Sequence, residues 1–225
     1  MGTTWTISAA WKDRLSQAGL GSFDEVLGSD GGQMLSTHVL GWVKHLDLAC
    51  GQRVYIKCDL ITVSKDMLTD LAYRHKPVVS VERECRAIDI LNEWPDVTVP
   101  EIIARGERRA WGLPKSGVMI TLPMAGEPFA DILKRGDDDE IDHAISVIAP
   151  IFRKFLDGPV RWWDMVPRHL YLIDNDRVGV LDLQRLRPVR FPGIRRIPRQ
   201  MKRMRKAFLE LGTQAQLDRF LKAVE

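Results

Sequence analysis

The chain has 225 residues, 45% of them hydrophobic and 28% charged, and a formal net charge of +3. That length suits one large domain or two small lobes, with enough apolar content to bury a real core. No run approaches the length of a membrane span and the stretch from Met1 to Leu15 has no apolar signal core, so the expectation is a cytoplasmic protein. Cys50, Cys58 and Cys85 are odd in number and lack metal-site spacing, which reads as reduced thiols used for packing.

Taken in order, residues from about Ser8 to Ala18 place Ala9, Ala10, Trp11 and Leu15 at helical spacing, and Gly19 and Gly21 end the pattern. Phe23 to Leu27 adds another turn. The first 30 residues are therefore expected as an N-terminal helical extension on the outside of the domain. From Gly31 the pattern changes to short strands over Gln33–Leu35, Thr37–Leu46 and Arg53–Lys57, read as antiparallel. Alternation along the last of these puts Lys57 on the face of Tyr55 and Arg53. A lysine there is most simply a solvated edge residue; in a kinase-like fold it would instead hold nucleotide phosphates.

Ser64 to Leu91 reads as helical, interrupted near Pro77. Its second part repeats Val81, Cys85, Ile88 and Leu91 with helical period behind Ser80 as an N-cap. Glu84 lies at the inner edge of that stripe; simple helix-surface charge is the plain reading for it and for Glu82, and in a kinase-like fold either would be the partner of Lys57, Glu84 first. Glu101 to Arg109 is a short strand or turn, Gly112 to Lys115 a hairpin turn, and Val118 to Leu122 a buried strand running into Pro123-Met124. Helices follow over Pro128–Lys134 and Glu140–Leu156, the second expected to kink or restart at Pro150. Gln200 to Leu211, capped by Gly212, and Gln214 to Val224 complete the pattern.

Two features carry chemistry. The segment R-W-W-D-M-V-P-R-H-L-Y-L-I-D-N-D-R-V-G-V-L-D-L-Q-R, Arg161 to Arg185, contains two apolar runs joined by an acidic turn and predicts a β-hairpin. The hairpin brings Asp164 and His169, which lead into its first strand, to the same end as Asp182, which leaves its second. Two carboxylates beside an imidazole can hold a divalent cation and accept a proton from an attacking hydroxyl; a surface hairpin with acids in its turns is the plainer reading. The second feature is the basic block from Arg185 to Lys206, which includes Arg187, Arg190, Arg203 and Arg205 and contains no acid. It suits a phosphorylated or otherwise anionic partner, an acidic membrane face among them. A solvated helix face competes with that reading, and nucleic acid is set aside because no binding motif accompanies the charge.

The pattern D-x-x-x-x-H followed by D-L-Q resembles the catalytic loop of protein-kinase-like enzymes, H-R-D-x-x-x-x-N and then D-F-G, with the offsets kept. Together R-E-C-R-A-I-D-I-L, V-Y-I-K, W-W-D-M-V-P-R-H-L-Y-L and V-L-D-L-Q-R resemble the lipopolysaccharide kinase (Kdo/WaaP) family, from about Gly31 to Leu211. The resemblance implies an α+β, bilobal protein-kinase-like fold, with a small antiparallel-sheet N-lobe over residues 31–122 and a mostly helical C-lobe over 123–225. It implies ATP and Mg²⁺ as cofactors, and a heptose or Kdo hydroxyl of the lipopolysaccharide core, or of a lipid A-core glycolipid, as acceptor. The protein would then work at the inner face of the cytoplasmic membrane, peripheral to it.

Position by position, Lys57 resembles the lysine that holds the nucleotide phosphates and Glu84 its ion-pair partner. Leu122 and Met124 fall at the strand-to-linker transition whose backbone meets adenine, Asp164 on the residue that orients the acceptor hydroxyl and takes its proton, and Asp182 on the principal Mg²⁺ ligand. His169, next to Arg168, stands where a second metal ligand is found; Mg²⁺ prefers oxygen, so contact with phosphate or orientation of Asp164 is the expected role. The Trp162-Trp163 pair replaces the histidine and basic residue of kinases before Asp164, which alters the bracing of the loop. Gly31, Gly32 and Gly41 are candidates for a phosphate-covering loop. A kinase-like pseudoenzyme, or a kinase of another small molecule or protein, is the alternative.

Overall fold

The computed structural model describes residues 1–38, 40–60, 67–68, 70–71, 76–174, 176–188 and 198–224. The chain forms two compact units, Met1–Arg86 with Pro100–Pro123, and Ala87–Val99 with Met124–Glu225.

The first unit is built on a six-stranded antiparallel sheet in the order β1-β6-β7-β4-β3-β2. Its strands are β1 (Gly2–Ile7), β2 (Gln33–His38), β3 (Gly41–Asp47), β4 (Arg53–Asp59), β6 (Ile102–Ala110) and β7 (Leu113–Thr121). Three strands form between Gly31 and Asp59 and pair antiparallel as expected, but the first two divide later than expected: Thr37 and His38 complete β2 and pair with Trp42 and Gly41 of β3, so Thr37–Leu46 is not one strand. The opening residues do not begin a helix: Gly2–Ile7 lies along β6 from Gly2↔Arg109 to Ile7↔Ala104. The β-branched and aromatic run Thr3 to Ile7 fits a pleated, half-buried edge better than a helix. Only after it come a 3₁₀ turn at Ala9–Trp11, α1 (Lys12–Gln17) and α2 (Phe23–Gly28).

Strand alternation then decides which side is core. Along β4, Val54, Ile56 and Cys58 are buried and pack with Ile103, Val118 and Ile120 against Trp11, Leu15, Leu20, Phe23 and Val26 of the helical segment. Helix α2 starts on a capping box, in which Glu25 N–H donates to Ser22 Oγ at 3.3 Å and Ser22 N–H to Glu25 Oε2 at 2.8 Å.

Helix α3 (Ser80–Leu91) crosses the division of the chain, its first residues counting with the sheet. Its N-terminus is held by acids from the strands. Asp59 at the end of β4 accepts from Val81 N–H at 2.6 Å, and Glu107 of β6 accepts from Val79 N–H at 3.3 Å. Carboxylates at the first turn satisfy amides that have no partner within the helix and match its dipole.

The second unit has a four-stranded sheet, β5-β11-β10-β8, made of β5 (Val97–Thr98), β8 (Glu127–Pro128), β10 (Leu170–Ile173) and β11 (Arg177–Val180). The pair β10–β11 is the expected hairpin, with Leu170 opposite Val180. Around it lie α4 (Phe129–Arg135), α5 (Asp138–Asp157), α6 (Pro198–Leu211) and α7 (Gln214–Val224), and β9 (Val160–Trp162) pairs with β12 (Leu186–Pro188). Helix α5 runs through Pro150 as one element, so no new helix starts there. Ile141, Ile145 and Ile148 before the proline and Phe152 and Phe155 after it are all buried. Their burial outweighs the roughly 3 kcal/mol that an interior proline costs. The core is aromatic: Phe129 meets Phe208 edge-on at 5.6 Å and Phe152 meets Phe220 at 5.2 Å. Of the basic block, residues 189–197 lie outside the described residues.

Candidate active site

Lys57 sits near the end of β4, opposite Val43 of β3 and Met119 of β7, on the face turned away from the helical core. Its Nζ lies 2.5 Å from Glu84 Oε2 on α3, and the side chains are 21% and 6% exposed. Glu82, the competing partner, is bonded instead to Arg86 at 3.1 Å across one helical turn. Asp59, two residues beyond Lys57 and so on the same face, clasps the start of α3, so two side chains of one strand fix the helix that supplies Glu84.

A second lysine, Lys44 on β3, is committed elsewhere. It donates to Ser29 O at 2.5 Å, lies over the Trp42 ring at 4.8 Å, and burial lowers its pKa. Leu122 N–H donates to Glu101 O at 3.0 Å, so that amide is already used within the sheet unit. Met124, in the other unit, is half-buried, and Gly179 leaves room for its sulfur. Gly41 is required by packing, because a Cβ there would run into the Cys58 carbonyl oxygen.

In the second unit the hairpin does bring the chemistry together. Leu181 N–H donates to His169 O at 2.9 Å, which sets the exit of β11 beside the entry of β10 and places Asp182 Oδ2 3.7 Å from His169 Nε2. Asp182 takes a left-handed conformation, φ 59°, which turns the chain out of the strand into the 3₁₀ turn Leu183–Arg185. Such a conformation costs a non-glycine residue about 1–2 kcal/mol and is held by its surroundings. Part of that hold is Trp162: it is fully buried, donates from Nε1 to Asp182 O at 3.0 Å and stacks on His169 at 6.3 Å. Trp162 therefore braces the turn at Asp182 from within.

The histidine has a defined proton arrangement. Nδ1 lies 2.8 Å from the Asp164 carbonyl oxygen, which only accepts, and Nε2 lies 3.1 Å from Arg168 Nε, which only donates. Both bonds are satisfied when Nδ1 carries the hydrogen and Nε2 presents its lone pair. That lone pair is directed at Arg168, so a metal could take Nε2 only by displacing a guanidinium. Asp182, with a side chain 31% exposed, offers the oxygen donor that Mg²⁺ prefers. No cluster of three or more His, Cys, Asp and Glu side chains occurs among the described residues. The donor set thus fits a cation held by one carboxylate and completed by phosphate oxygens, and does not fit a cage made by protein alone.

Asp164 itself is covered by cations. Arg203 of α6 bonds Oδ1 through Nη1, and Arg185 approaches Oδ2 through Nε at 3.3 Å. Arg203 also donates to Trp163 O at 3.2 Å, and Gln200, one turn earlier on α6, donates to Trp162 O at 2.8 Å. Neither arginine was singled out as a site residue from the sequence, where both merged into the basic block. The i, i+3 spacing of Gln200 and Arg203 is the signal that puts them on one helix face.

The chain is similar to a solved structure of WaaP in complex with acyl carrier protein, at 15% sequence identity and a TM-score of 0.65, over 98% of this chain and 88% of that one. The chain has the fold of WaaP. The expected α+β, kinase-like architecture is therefore what the chain adopts, and the likeness to WaaP takes in all but a few residues of the two units. A second structure, the complex of Rv3197 with erythromycin from Mycobacterium tuberculosis, matches at 16% identity and a TM-score of 0.44, over 81% of this chain and 52% of that one. No protein-family model and no curated protein matches the chain.

Proposed function

We propose that the chain is an ATP-dependent kinase of a heptose or Kdo residue in the lipopolysaccharide inner core. The observation that carries this is the Lys57–Glu84 ion pair, strand lysine to helix glutamate, within a WaaP-like fold. The acceptor glycolipid would be met at the inner face of the cytoplasmic membrane. No helix among the described residues is long and apolar enough to cross it.

Glu84 holds the Lys57 ammonium in an ion pair, which suits the lysine to align the α- and β-phosphates of the nucleotide. Asp182, held in place by Trp162 and the hairpin, is the residue to carry Mg²⁺. When bound, the cation would neutralise charge on the phosphate oxygens. His169 holds the Asp164 main chain through Nδ1 and so acts on position. The Asp164 carboxylate orients the acceptor hydroxyl and takes its proton. A carboxylate flanked by guanidiniums is a weak base, yet phosphoryl transfer runs through a loose transition state in which orientation matters more than base strength.

The test is phosphate mapping of core oligosaccharide by mass spectrometry, from cells with and without this chain. Loss of one phosphate from a heptose or Kdo residue, restored by the wild-type chain and not by Asp164→Ala, is expected. An unchanged phosphate pattern overturns the proposal.

A further inference from the structure

The cations around Asp164 exceed what one carboxylate needs. Arg185 and Arg203 carry two positive charges against the single negative charge of Asp164, and their side chains are 56% and 48% exposed while that of Asp164 is 16% exposed. Their hydrogen bonds leave capacity over. Among the described residues, Arg203 uses only Nη1, on Asp164 Oδ1 and Trp163 O, and Arg185 uses Nε and Nη1, on the two Asp164 oxygens. Arg203 Nε and Nη2 and Arg185 Nη2 have no protein acceptor among the described residues. A guanidinium presents its donors as a planar fork that matches an oxyanion, and two of them facing solvent beside the same carboxylate form a recognition element for a carboxylate or phosphate group.

From this geometry we propose that Arg185 and Arg203 are the acceptor-anion subsite: they bind an oxyanion carried by the acceptor sugar next to the hydroxyl that reacts. This rests on the kinase reading for the role of Asp164, but not for the binding itself. An oxyanion seated between the two forks competes with Asp164 for them and leaves Oδ1 of Asp164 to the acceptor hydroxyl. Selectivity and orientation are then one event: a neutral sugar leaves the arginines on Asp164, and an anionic one draws them off. The two arginines come from separate elements, the turn after Asp182 and helix α6, so the spacing between the forks is set by tertiary structure.

The experiment uses the full chain without nucleotide and measures binding by calorimetry. The probes are deacylated core oligosaccharide, the same material freed of phosphate by hydrofluoric acid, and the same material with its carboxylates capped as methylamides. Wild-type protein is expected to bind the parent at least about 10-fold tighter than one of the two modified forms, a difference of about 1.4 kcal/mol. The form that loses affinity identifies the oxyanion as phosphate or carboxylate. Arg203→Gln and Arg185→Gln should each reduce that preference to within about twofold, with their thermal melts recorded alongside. Arg203→Lys, which keeps the charge and loses the fork, should fall between and serves if the glutamine variant does not fold.

No binding of any probe, equal binding of all three by wild type, or an undiminished preference in Arg203→Gln or Arg203→Lys overturns the inference. Because nucleotide is omitted, a chain that transfers no phosphate but keeps the arginine-dependent preference refutes the kinase reading alone.

Discussion

Lys57 with Glu84 and Asp164 with its arginines are both close ion pairs, but different kinds of structure hold them. The first joins a regular strand to a regular helix and is nearly dry on the glutamate side. The second joins a turn after a three-residue strand to a 3₁₀ turn and to a helix 39 residues further on, with both arginines about half in water. Burial makes the first pair costly to break. Exposure makes the second cheap to rearrange, which suits the role proposed for it. The first is a fixed contact, and the second, on the proposal above, an exchangeable one that responds to an anionic acceptor.

The largest effect expected is on turnover. Asp164→Ala should lower phosphate transfer by about 1,000-fold, some 4 kcal/mol in the barrier, with Mg-ATP affinity nearly unchanged in calorimetry. A variant with full turnover would remove Asp164 from the chemistry. Next comes the cost of stranding a buried charge. Lys57→Met should destabilise the fold by about 3 kcal/mol in denaturant titration, at the low end for a broken buried pair because Lys57 keeps 21% exposure. Adding Glu84→Gln to Lys57→Met should recover part of that loss; no recovery would mean that Glu84 is not the charge being stranded.

A smaller change tests the frame around the fixed pair. Ser22→Ala removes one half of the capping box on α2 and should cost about 1 kcal/mol, read as a lower denaturation midpoint with an unchanged slope. The smallest effect is chemical. Burial, reinforced by the charge of Asp59, pushes the Cys58 thiol up to about 12, so its reactive thiolate is scarce until the pH approaches that value. Cys85 is buried and Cys50 exposed. A thiol reagent at pH 8 should therefore modify one cysteine per native chain and three after denaturation; rapid modification of Cys58 in the native protein would show the sheet unit to be open.

What could be seen in the sequence follows the same division. Alternation along Arg53 to Lys57 and the helical stripe through Val81, Cys85 and Ile88 are local patterns that place Lys57 and Glu84 on their elements; their pairing was expected only from the resemblance to kinases, with Glu82 as a competitor. The hairpin was legible for the same reason, because its period and its turn lie within a dozen residues. The arginines on Asp164 were not legible: they stand 21 and 39 residues away, and a basic run looks alike whether it faces water or a carboxylate. Trp162 was seen only as a departure from the kinase pattern, since nothing local shows that its indole N–H reaches the Asp182 carbonyl. Residues Gly2 to Ile7 were absorbed into the helix that follows them, because an edge strand is defined by the partner it finds, here β6.

The most direct test of the central claim is transfer of labelled γ-phosphate from ATP to deacylated core oligosaccharide by the purified chain in the presence of Mg²⁺. The expected result is incorporation into a heptose or Kdo residue by the wild-type protein, falling to background for Asp164→Ala and for Lys57→Met. Equal incorporation by all three proteins, or none by the wild type when Mg-ATP is shown to bind, would contradict it.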